Sequence, residues 1–386
     1  MKTETMRIID RYVGIPVCIV LSWLAPLITR KQNNNVVVVC KFFGIGSICL
    51  SYPLIYELKK QGKEIVYLTF ASNEPMVRFL GVDRCITINS KSFGAFVFDV
   101  LKAVWQLRRI KPGAFLNLEF FSKFSAIMSV LSGAAVRSGF YMLHSAIGKL
   151  YTHRTNLNLY RPVSENFLNV GTMTGVVSDS QKPDFYPDTF HIPDTAKLPS
   201  QVSGNYIVVN AESSETIREL KSWPTENWVR LIISLREERP EYSLVLIGAN
   251  AGEIQNTELS KLIGANQGII NCVGRTSFDE FTGLIANAAL VVTIDSGPVH
   301  LSALMKRPTV AMFGPETPTL YGHKLPWVRS FYKGLICSPC LAIYDAKKSV
   351  LDCQDNKCMK QITPDEVLQA TFEMLPTSDG KARQIG

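Results

Sequence analysis

The chain has 386 residues, which is too long for one ordinary domain and predicts two. Hydrophobic residues make up 46% and charged residues 19% of the sequence, which excludes a disordered chain. The formal net charge of +8 favours acidic partners such as phosphate groups or anionic lipid headgroups. Because Lys and Arg are scattered and no nucleic-acid-binding motif accompanies them, we do not expect a nucleic-acid partner.

Near its N-terminus the chain has a strongly apolar segment, Val13 to Ile28, with basic residues on both sides. A helix needs about 20 apolar residues to span a bilayer, and this segment is slightly shorter. No small-residue cleavage site follows it, which argues against a secretory signal. The basic flanks and Trp23 predict a membrane-associating helix at residues 1–32, lying in or dipping into the inner membrane leaflet. The alternative is a helix packed on the rest of the protein.

Strand and helix patterns alternate from Asn35 onward. The run VVVVCKF lacks polar alternation, which is typical of a strand buried on both faces of a parallel sheet. The glycine turn FGIGS and a helical pattern follow, and the alternation continues through EIVYLTF, RCITINS, AFVFDVLKAVWQLRRI and AFLNLEF. This alternation predicts a doubly wound, Rossmann-like α/β domain at residues 33–180.

A segment rich in Pro, Asp and Ser predicts an inter-domain linker at residues 181–204. Alternation restarts with NYIVVNA and continues to PTVAMFG, which predicts a second Rossmann-like domain at 205–361, with a C-terminal helix and tail at 362–386. Two such domains place a ligand in the cleft between them, at the carboxyl ends of the strands.

The sequence DSGPVH stands between a predicted strand and a predicted helix. Gly297 lets a ligand approach the backbone, and Pro298 suits a first helical turn, where its missing N–H costs nothing. The N–H groups and dipole of the helix start form an anion site, to which Ser296 and His300 can add donors. A diphosphate fits this environment. Alternatively, Asp295 is a helix N-cap and His300 a packed structural histidine.

The longer stretch DSGPVHLSALMKRPTVAMFGP closely resembles the signature of the bacterial heptosyltransferases, glycosyltransferase family 9. The resemblance covers nearly the whole chain and implies a GT-B fold. It also implies transfer of a sugar, typically heptose from ADP-heptose, to a lipopolysaccharide core or lipid-linked glycan. KSWP matches the family's Lys-x-Trp-Pro element, whose lysine, here Lys221, contacts the donor phosphates. VLIGANAGE and CVGRTSFDEF resemble the loops that hold the nucleoside, and the residues concerned are Gly248, Glu253 and Gly274.

The resemblance also implies that no metal is required for catalysis. Departure of the donor leaves negative charge on the diphosphate, which helix N–H groups, Lys221 and His300 would stabilise in place of a cation. The C-terminal domain, including Asp295, would bind the donor, and the N-terminal domain would bind the acceptor. The protein would then work on the cytoplasmic face of the inner membrane, as a peripheral or monotopic protein.

The resemblance fails at the N-terminal glycine turn, Gly44 to Ser47. Family members usually carry an aspartate after this turn, thought to deprotonate the acceptor, whereas this chain has Gly46 followed by Ser47. Serine cannot act as a base near neutral pH without help. Glu119 is the replacement that we predict, because it ends a predicted strand of the same domain among aromatic side chains that could raise its pKa. The alternative is a helix-capping or solvent-facing acid.

Four cysteines with the spacing C-x2-C-x12-C-x4-C lie near the C-terminus: Cys337, Cys340, Cys353 and Cys358. Four thiolates at such intervals can enclose a tetrahedral structural zinc. The wide second pair is equally compatible with reduced thiols that need no metal.

Two further functions stay open from the sequence. One is a non-catalytic paralogue that binds a nucleotide sugar, which Ser47 motivates. The other is a nucleotide-sugar 2-epimerase, which shares the two-domain architecture but which the DSGPVH and KSWP elements disfavour.

Overall fold

The computed structural model describes residues 8, 10–29, 33–143, 145–178, 187–211, 218–248, 268–342, 348–349 and 353–375. The chain divides into two compact units, Met1–Phe185 and Tyr186–Gly386. This division falls inside the predicted linker, and the described part of the linker packs on the C-terminal unit. The Lys197 N–H donates to the Asp279 carbonyl at 3.2 Å.

The described part of the N-terminal unit has a sheet of six parallel strands. The strands are β1 Asn33–Cys40, β2 Glu64–Phe70, β3 Arg84–Ile88, β4 Pro112–Asn117, β5 Val136–Phe140 and β6 His153–Thr155. The helices are α1 Gly14–Ile28, α2 Ile45–Cys49, α3 Tyr52–Lys60, α4 Glu74–Phe79, α5 Phe93–Ile110, α6 Lys123–Leu131 and α7 Val163–Thr172.

The strand order of this sheet is β3-β2-β1-β4-β5-β6, the doubly wound order that the sequence predicts. Residues 36–40 of β1 are all buried, as expected for a β-branched run in a central parallel strand. The order reverses between β1 and β4, so the glycine turn after β1 and Glu119 after β4 follow neighbouring strands at the switch point. Ligands bind at such points in open α/β sheets.

The described part of the C-terminal unit repeats this architecture in the order β12-β11-β10-β7-β8-β9. The strands are β7 Tyr206–Asn210, β8 Ser243–Ile247, β9 Ile269–Asn271, β10 Leu290–Ile294, β11 Thr309–Phe313 and β12 Val328–Tyr332, with β13 Leu341–Ala342 and β14 Lys348–Ser349 forming a separate hairpin. The helices are α8 Arg218–Lys221, α9 Thr225–Glu238, α10 Phe278–Ala286, α11 Gly297–Leu304, α12 Pro318–Tyr321, α13 Lys357–Lys360 and α14 Pro364–Met374.

Helix α1 occupies the apolar N-terminal segment. It packs on α6 through a stripe of mostly small residues, Gly14, Cys18, Leu21 and Ala25, and leaves most of its other large apolar side chains exposed. None of the described helices combines the length and the apolar character that crossing a membrane requires.

Candidate functional site

The DSGPVH sequence lies at the switch point of the C-terminal sheet, where β7 and β10 are neighbours. Ser296 has extended backbone angles and precedes the first residue of α11, as predicted for a strand-to-helix turn. Its hydroxyl accepts from Asn210 Nδ2 at 2.9 Å and donates to the Ile294 carbonyl at 3.0 Å. These bonds hold the turn between the two central strands.

Lys221 lies directly beside this turn. Its ammonium donates to Asp295 Oδ2 at 2.5 Å and to Glu316 Oε2 at 2.6 Å. All three side chains are buried. Asp295 follows β10 and Glu316 follows β11, so neighbouring strands deliver two carboxylates to one ammonium. We call Lys221, Asp295 and Glu316 the charge cluster.

The charge cluster has an unusual electrostatic balance. Burial raises the pKa of Asp295 to about 6; the Glu316 charge also raises it, and Lys221 opposes the rise. With both carboxylates ionised the cluster carries one net negative charge, and a proton on Asp295 makes it neutral. The proton therefore decides whether Lys221 can face an anion without a surplus of carboxylate charge.

Residues far along the chain hold the backbone around Lys221 in place. Trp223 is fully buried, packs edge-on against Trp228 and donates from its indole N–H to the Ile362 carbonyl at 2.8 Å. Asn356 Nδ2 donates to the Ser222 carbonyl at 2.7 Å and to two further carbonyls of α8. The Lys-x-Trp-Pro element is thus anchored on both sides of its lysine-bearing turn.

His300, in the first turns of α11, meets a second histidine. Its Nδ1 lies 2.9 Å from Nε2 of His323, and both rings are buried. Burial lowers the pKa of His323 to about 3, so this ring is neutral in ordinary conditions. One ring nitrogen must donate and the other accept, so the tautomers of the two histidines are linked. The Nδ1 edge of His300 therefore faces His323 and not a ligand.

The predicted nucleoside loops are described in part. Gly248 follows β8, and its carbonyl accepts from the Gly274 N–H at 2.9 Å. Gly274 has a φ of 64°, which favours glycine. These glycines therefore meet at the carboxyl ends of β8 and β9. Glu253 lies outside the described residues.

In the N-terminal unit, Glu119 contacts the chain that enters the glycine turn. Its Oε1 accepts from the Lys41 ammonium at 3.0 Å and from the N–H groups of Phe42 and Phe43 at 2.5 and 2.8 Å. Gly44 follows with a φ of 84°, so the turn needs glycine there. Ser47 and Gly46 lie within α2, both partly exposed.

This geometry gives Glu119 a task besides the predicted proton transfer. Three donors converge on one carboxylate oxygen, and both Glu119 and Lys41 are buried. The hydrogen bonds from the Phe42 and Phe43 N–H groups to Glu119 fix the position of this backbone. Removal of either partner of the buried ion pair would leave a charge that water cannot reach. Its role as acceptor base stays a prediction.

The four C-terminal cysteines are all described, and none of them forms a disulfide. Burial and the neighbouring Cys340 raise the pKa of the Cys358 thiol to about 11. Within the described residues, no three His, Cys, Asp or Glu side chains form a group that could hold a metal ion. The zinc site stays a prediction from spacing.

Comparisons with known proteins identify the family. The model of glycosyltransferase family 9 (heptosyltransferase) matches residues 121–350, more than half of the chain. The chain belongs to glycosyltransferase family 9. The resemblance in DSGPVH and KSWP is thereby confirmed at the level of the family.

Individual relatives in glycosyltransferase family 9 are distant. Lipooligosaccharide heptosyltransferase 2 of Campylobacter jejuni is 27% identical over 164 residues, which are 41% of this chain and 48% of that protein. Lipopolysaccharide heptosyltransferase 3 of Escherichia coli is 23% identical over 351 residues, 86% of this chain and 95% of that protein. The first relatives are matched over about half of their length or less.

Solved structures support the two-domain fold. The E. coli ADP-heptose lps heptosyltransferase II superposes with a TM-score of 0.66 at 19% identity, covering 88% of this chain and 97% of that one. The predicted fold, with two doubly wound domains, is therefore confirmed.

The sequence did not reveal which residues contact the predicted site residues and the KSWP backbone: Lys41, Glu316, His323 and Asn356. Each lies tens of residues from the side chain or backbone that it contacts. Only Glu316 carried a local signal, because it follows the FGP sequence at the end of a predicted strand.

Proposed function

We propose that this family 9 protein is a glycosyltransferase that moves a sugar, heptose from ADP-heptose or a similar nucleotide sugar, to a lipopolysaccharide core or lipid-linked glycan. The observation that carries the proposal is the 2.5 Å contact between the Lys221 ammonium and Asp295, next to the start of α11. An ammonium beside a helix N-terminus is the chemistry that a diphosphate requires.

In the proposed reaction the acceptor hydroxyl attacks the sugar carbon, and the C–O bond to the diphosphate breaks. The departing diphosphate takes up negative charge, which α11 and Lys221 stabilise without a metal cofactor. Because Asp295 and Glu316 already hold the ammonium, anion binding favours a protonated Asp295. Glu119 is the proposed base for the acceptor proton.

A structural zinc on the cysteines is a separate proposal. It is tested by the zinc content of protein purified with and without Cys337→Ser and Cys340→Ser.

We further propose that the N-terminal unit takes the acceptor and that the protein works at the cytoplasmic face of the inner membrane. Helix α1 supports this placement, because it exposes Trp23 at 79% and Leu27 at 82% of their surfaces. Large exposed apolar side chains on one helix are typical of a surface that meets lipid or protein.

The proposal is tested by ligand-induced thermal stabilisation with a panel of nucleotides and nucleotide sugars, followed by transfer assays with lipopolysaccharide acceptors. We expect stabilisation by an adenosine diphosphate sugar, because a ligand that binds only the folded state raises its unfolding temperature. Lys221→Gln keeps a hydrogen-bond donor but loses the charge. We expect this variant to need at least about tenfold more ligand for the same stabilisation.

Lys306→Gln is the matched control, since it removes an exposed lysine of the same unit that pairs with Asp188. Equal stabilisation of Lys221→Gln and the wild type would refute the assignment of the diphosphate to this site. Stabilisation without transfer to any acceptor would favour the second candidate, a non-catalytic nucleotide-sugar-binding paralogue, which Ser47 motivates.

A further inference from the structure

Helix α5 has two apolar sides. Its inner side packs on the core of the N-terminal unit through Ala103 and Leu107. The outer side of a surface helix is ordinarily polar. On α5 the outer side instead carries exposed large apolar residues, which we call the outer face: Phe93, Val97, Phe98, Leu101 and Trp105.

These residues form one stripe along the helix. Phe93, Val97, Leu101 and Trp105 recur at every fourth position, which spreads them over an arc of about 120° at 3.6 residues per turn. Phe98 lies about 20° beyond the edge of this arc, next to Trp105. Phe98 is exposed over 67% and Trp105 over 58% of its surface. A contiguous apolar stripe of this size on a soluble surface marks an interaction site.

Cations border the outer face. Lys102 and Arg109 are exposed on α5, and the Arg109 guanidinium lies 5.3 Å from the centre of the Trp105 ring. The only acidic residue of α5, Asp99, is half-buried and accepts a hydrogen bond from the Asn89 N–H. The exposed surface of α5 is therefore apolar and positive.

Helix α1 flanks the same neighbour as α5. In α6, Lys123 lies against Gly14 of α1, and the Phe124 ring lies 5.3 Å from the Phe96 ring of α5. The two helices with exposed apolar side chains thus both contact α6, at its neighbouring residues 123 and 124. Both also carry an exposed tryptophan, a residue enriched where membranes meet water.

We infer that the outer face of α5 is a second membrane-contacting element, which docks the N-terminal unit beside α1 on an anionic lipid bilayer. Apolar rings enter the boundary between headgroups and acyl chains, and Lys102 and Arg109 meet the anionic headgroups. A second copy of the chain fits this surface less well, because a two-fold contact would bring the same cations together.

This inference extends the membrane attachment proposed above and rests on it, but it is separable from donor binding in the C-terminal unit. The experiment is co-sedimentation of the full-length protein with vesicles of phosphatidylcholine, with and without phosphatidylglycerol. The triple substitution Phe98→Ser, Leu101→Ser and Trp105→Ser should lower the vesicle-bound fraction at equal lipid by about tenfold or more.

The matched control removes three exposed apolar side chains elsewhere, Tyr160→Ser, Met173→Ser and Ile336→Ser, and should bind vesicles as the wild type does. Lys102→Gln with Arg109→Gln should reduce binding to anionic vesicles, about fivefold per cation, and leave neutral vesicles unaffected. Wild-type binding by the triple variant would overturn the inference. So would a concentration-dependent dimer that the triple substitution abolishes while vesicle binding persists.

A second experiment leaves the outer face of α5 unchanged, so that the inference can be tested even if the triple variant fails to fold. In a Trp23→Phe background, Trp105 is the one tryptophan left in residues 1–185 and three others remain in the C-terminal unit. Lipids brominated near the headgroup should quench the Trp105 part of the fluorescence on vesicle binding. Unchanged fluorescence of vesicle-bound protein would overturn the inference. Stabilisation by nucleotide sugar, measured in parallel, reports on the proposed function alone: its absence with vesicle binding intact would reject the function and keep the docking face.

Discussion

At the scale of single residues, we expect the charge cluster to couple ligand affinity to the protonation of Asp295. Asp295 has a pKa of about 6 in the folded protein, raised by burial, and its ionised form leaves a surplus of carboxylate charge around Lys221. The diphosphate diester of a nucleotide sugar keeps its own charge as the pH passes through the pKa of Asp295. The pH response of donor binding therefore reports on the protein.

We predict that nucleotide-sugar affinity increases as the pH falls from about 8 to about 5, by about tenfold, because Asp295 gains a proton and stops competing for Lys221. Isothermal titration calorimetry across this range measures it. Asp295→Asn should bind with a pH-independent affinity. The matched control Asp365→Asn removes an exposed carboxylate that pairs with Arg230 and should keep the wild-type slope.

The same group sets a sign for stability. The pKa of Asp295 is raised on folding, so the folded state binds more protons than the unfolded chain between the ordinary value of 3.8 and about 6. The contribution of Asp295 to the free energy of unfolding is therefore full below this window and declines as the pH rises through it. A decline that persists in Asp295→Asn would contradict the prediction.

The Lys41–Glu119 ion pair separates two roles of Glu119. We predict that Glu119→Gln and Lys41→Met each lower the free energy of unfolding by about 3 kcal/mol, because each leaves a buried charge without this partner. The double variant should lose less than the sum, measured by urea denaturation.

Transfer activity then assigns the chemistry. If Glu119 is the acceptor base, turnover disappears in Glu119→Gln while nucleotide binding and the turnover of Lys41→Met survive. Equal losses in both single variants would instead assign Glu119 a positioning role at the glycine turn.

At the scale of elements, hydrogen bonds from Asn356, which we call the bracket, hold the backbone of Lys221, the proposed phosphate-binding lysine. Asn356, in the segment between Cys353 and Cys358, donates to carbonyls on both sides of Lys221. In the proposed donor site, this bracket would give the cysteine-rich segment a role that needs no metal.

We predict that Asn356→Ala weakens nucleotide-sugar binding about fivefold to tenfold, because lost hydrogen bonds of about 1 kcal/mol each loosen the backbone that carries Lys221. The control Asn287→Ala removes a comparable side-chain donor to the Gly283 carbonyl on α10 and should bind normally. Equal affinity of both variants would show that the bracket does not serve the ligand.

Local patterns predicted the elements well and their partnerships poorly. The apolar run of β1 and the alternation in both halves foretold central parallel strands, because burial on both faces leaves a mark in the sequence. Contacts such as Lys221 with Glu316 join residues 95 positions apart. Periodicity reports which side of an element is buried, and it carries no information on which distant charge lies opposite.

At the scale of the whole molecule, the net charge of +8 should attract the protein to anionic membranes. We predict that vesicle binding falls as salt rises only for anionic vesicles, since ions screen exposed charges beyond about 10 Å at 0.1 M. Apolar insertion by α1 and the outer face of α5 should leave a salt-resistant fraction, measured by co-sedimentation. Complete release at high salt would mean that those helices do not enter the lipid.

The anchor of Trp223 on the Ile362 carbonyl, 139 positions away, has a consequence for biosynthesis. During translation, the turn that carries Lys221 leaves the ribosome long before residues 356 and 362 exist to secure it. The N-terminal unit can fold meanwhile, but the proposed diphosphate site is secured only when residues 356 and 362 have emerged. Ribosome-stalled chains that stop short of Asn356 would therefore be unable to retain nucleotide.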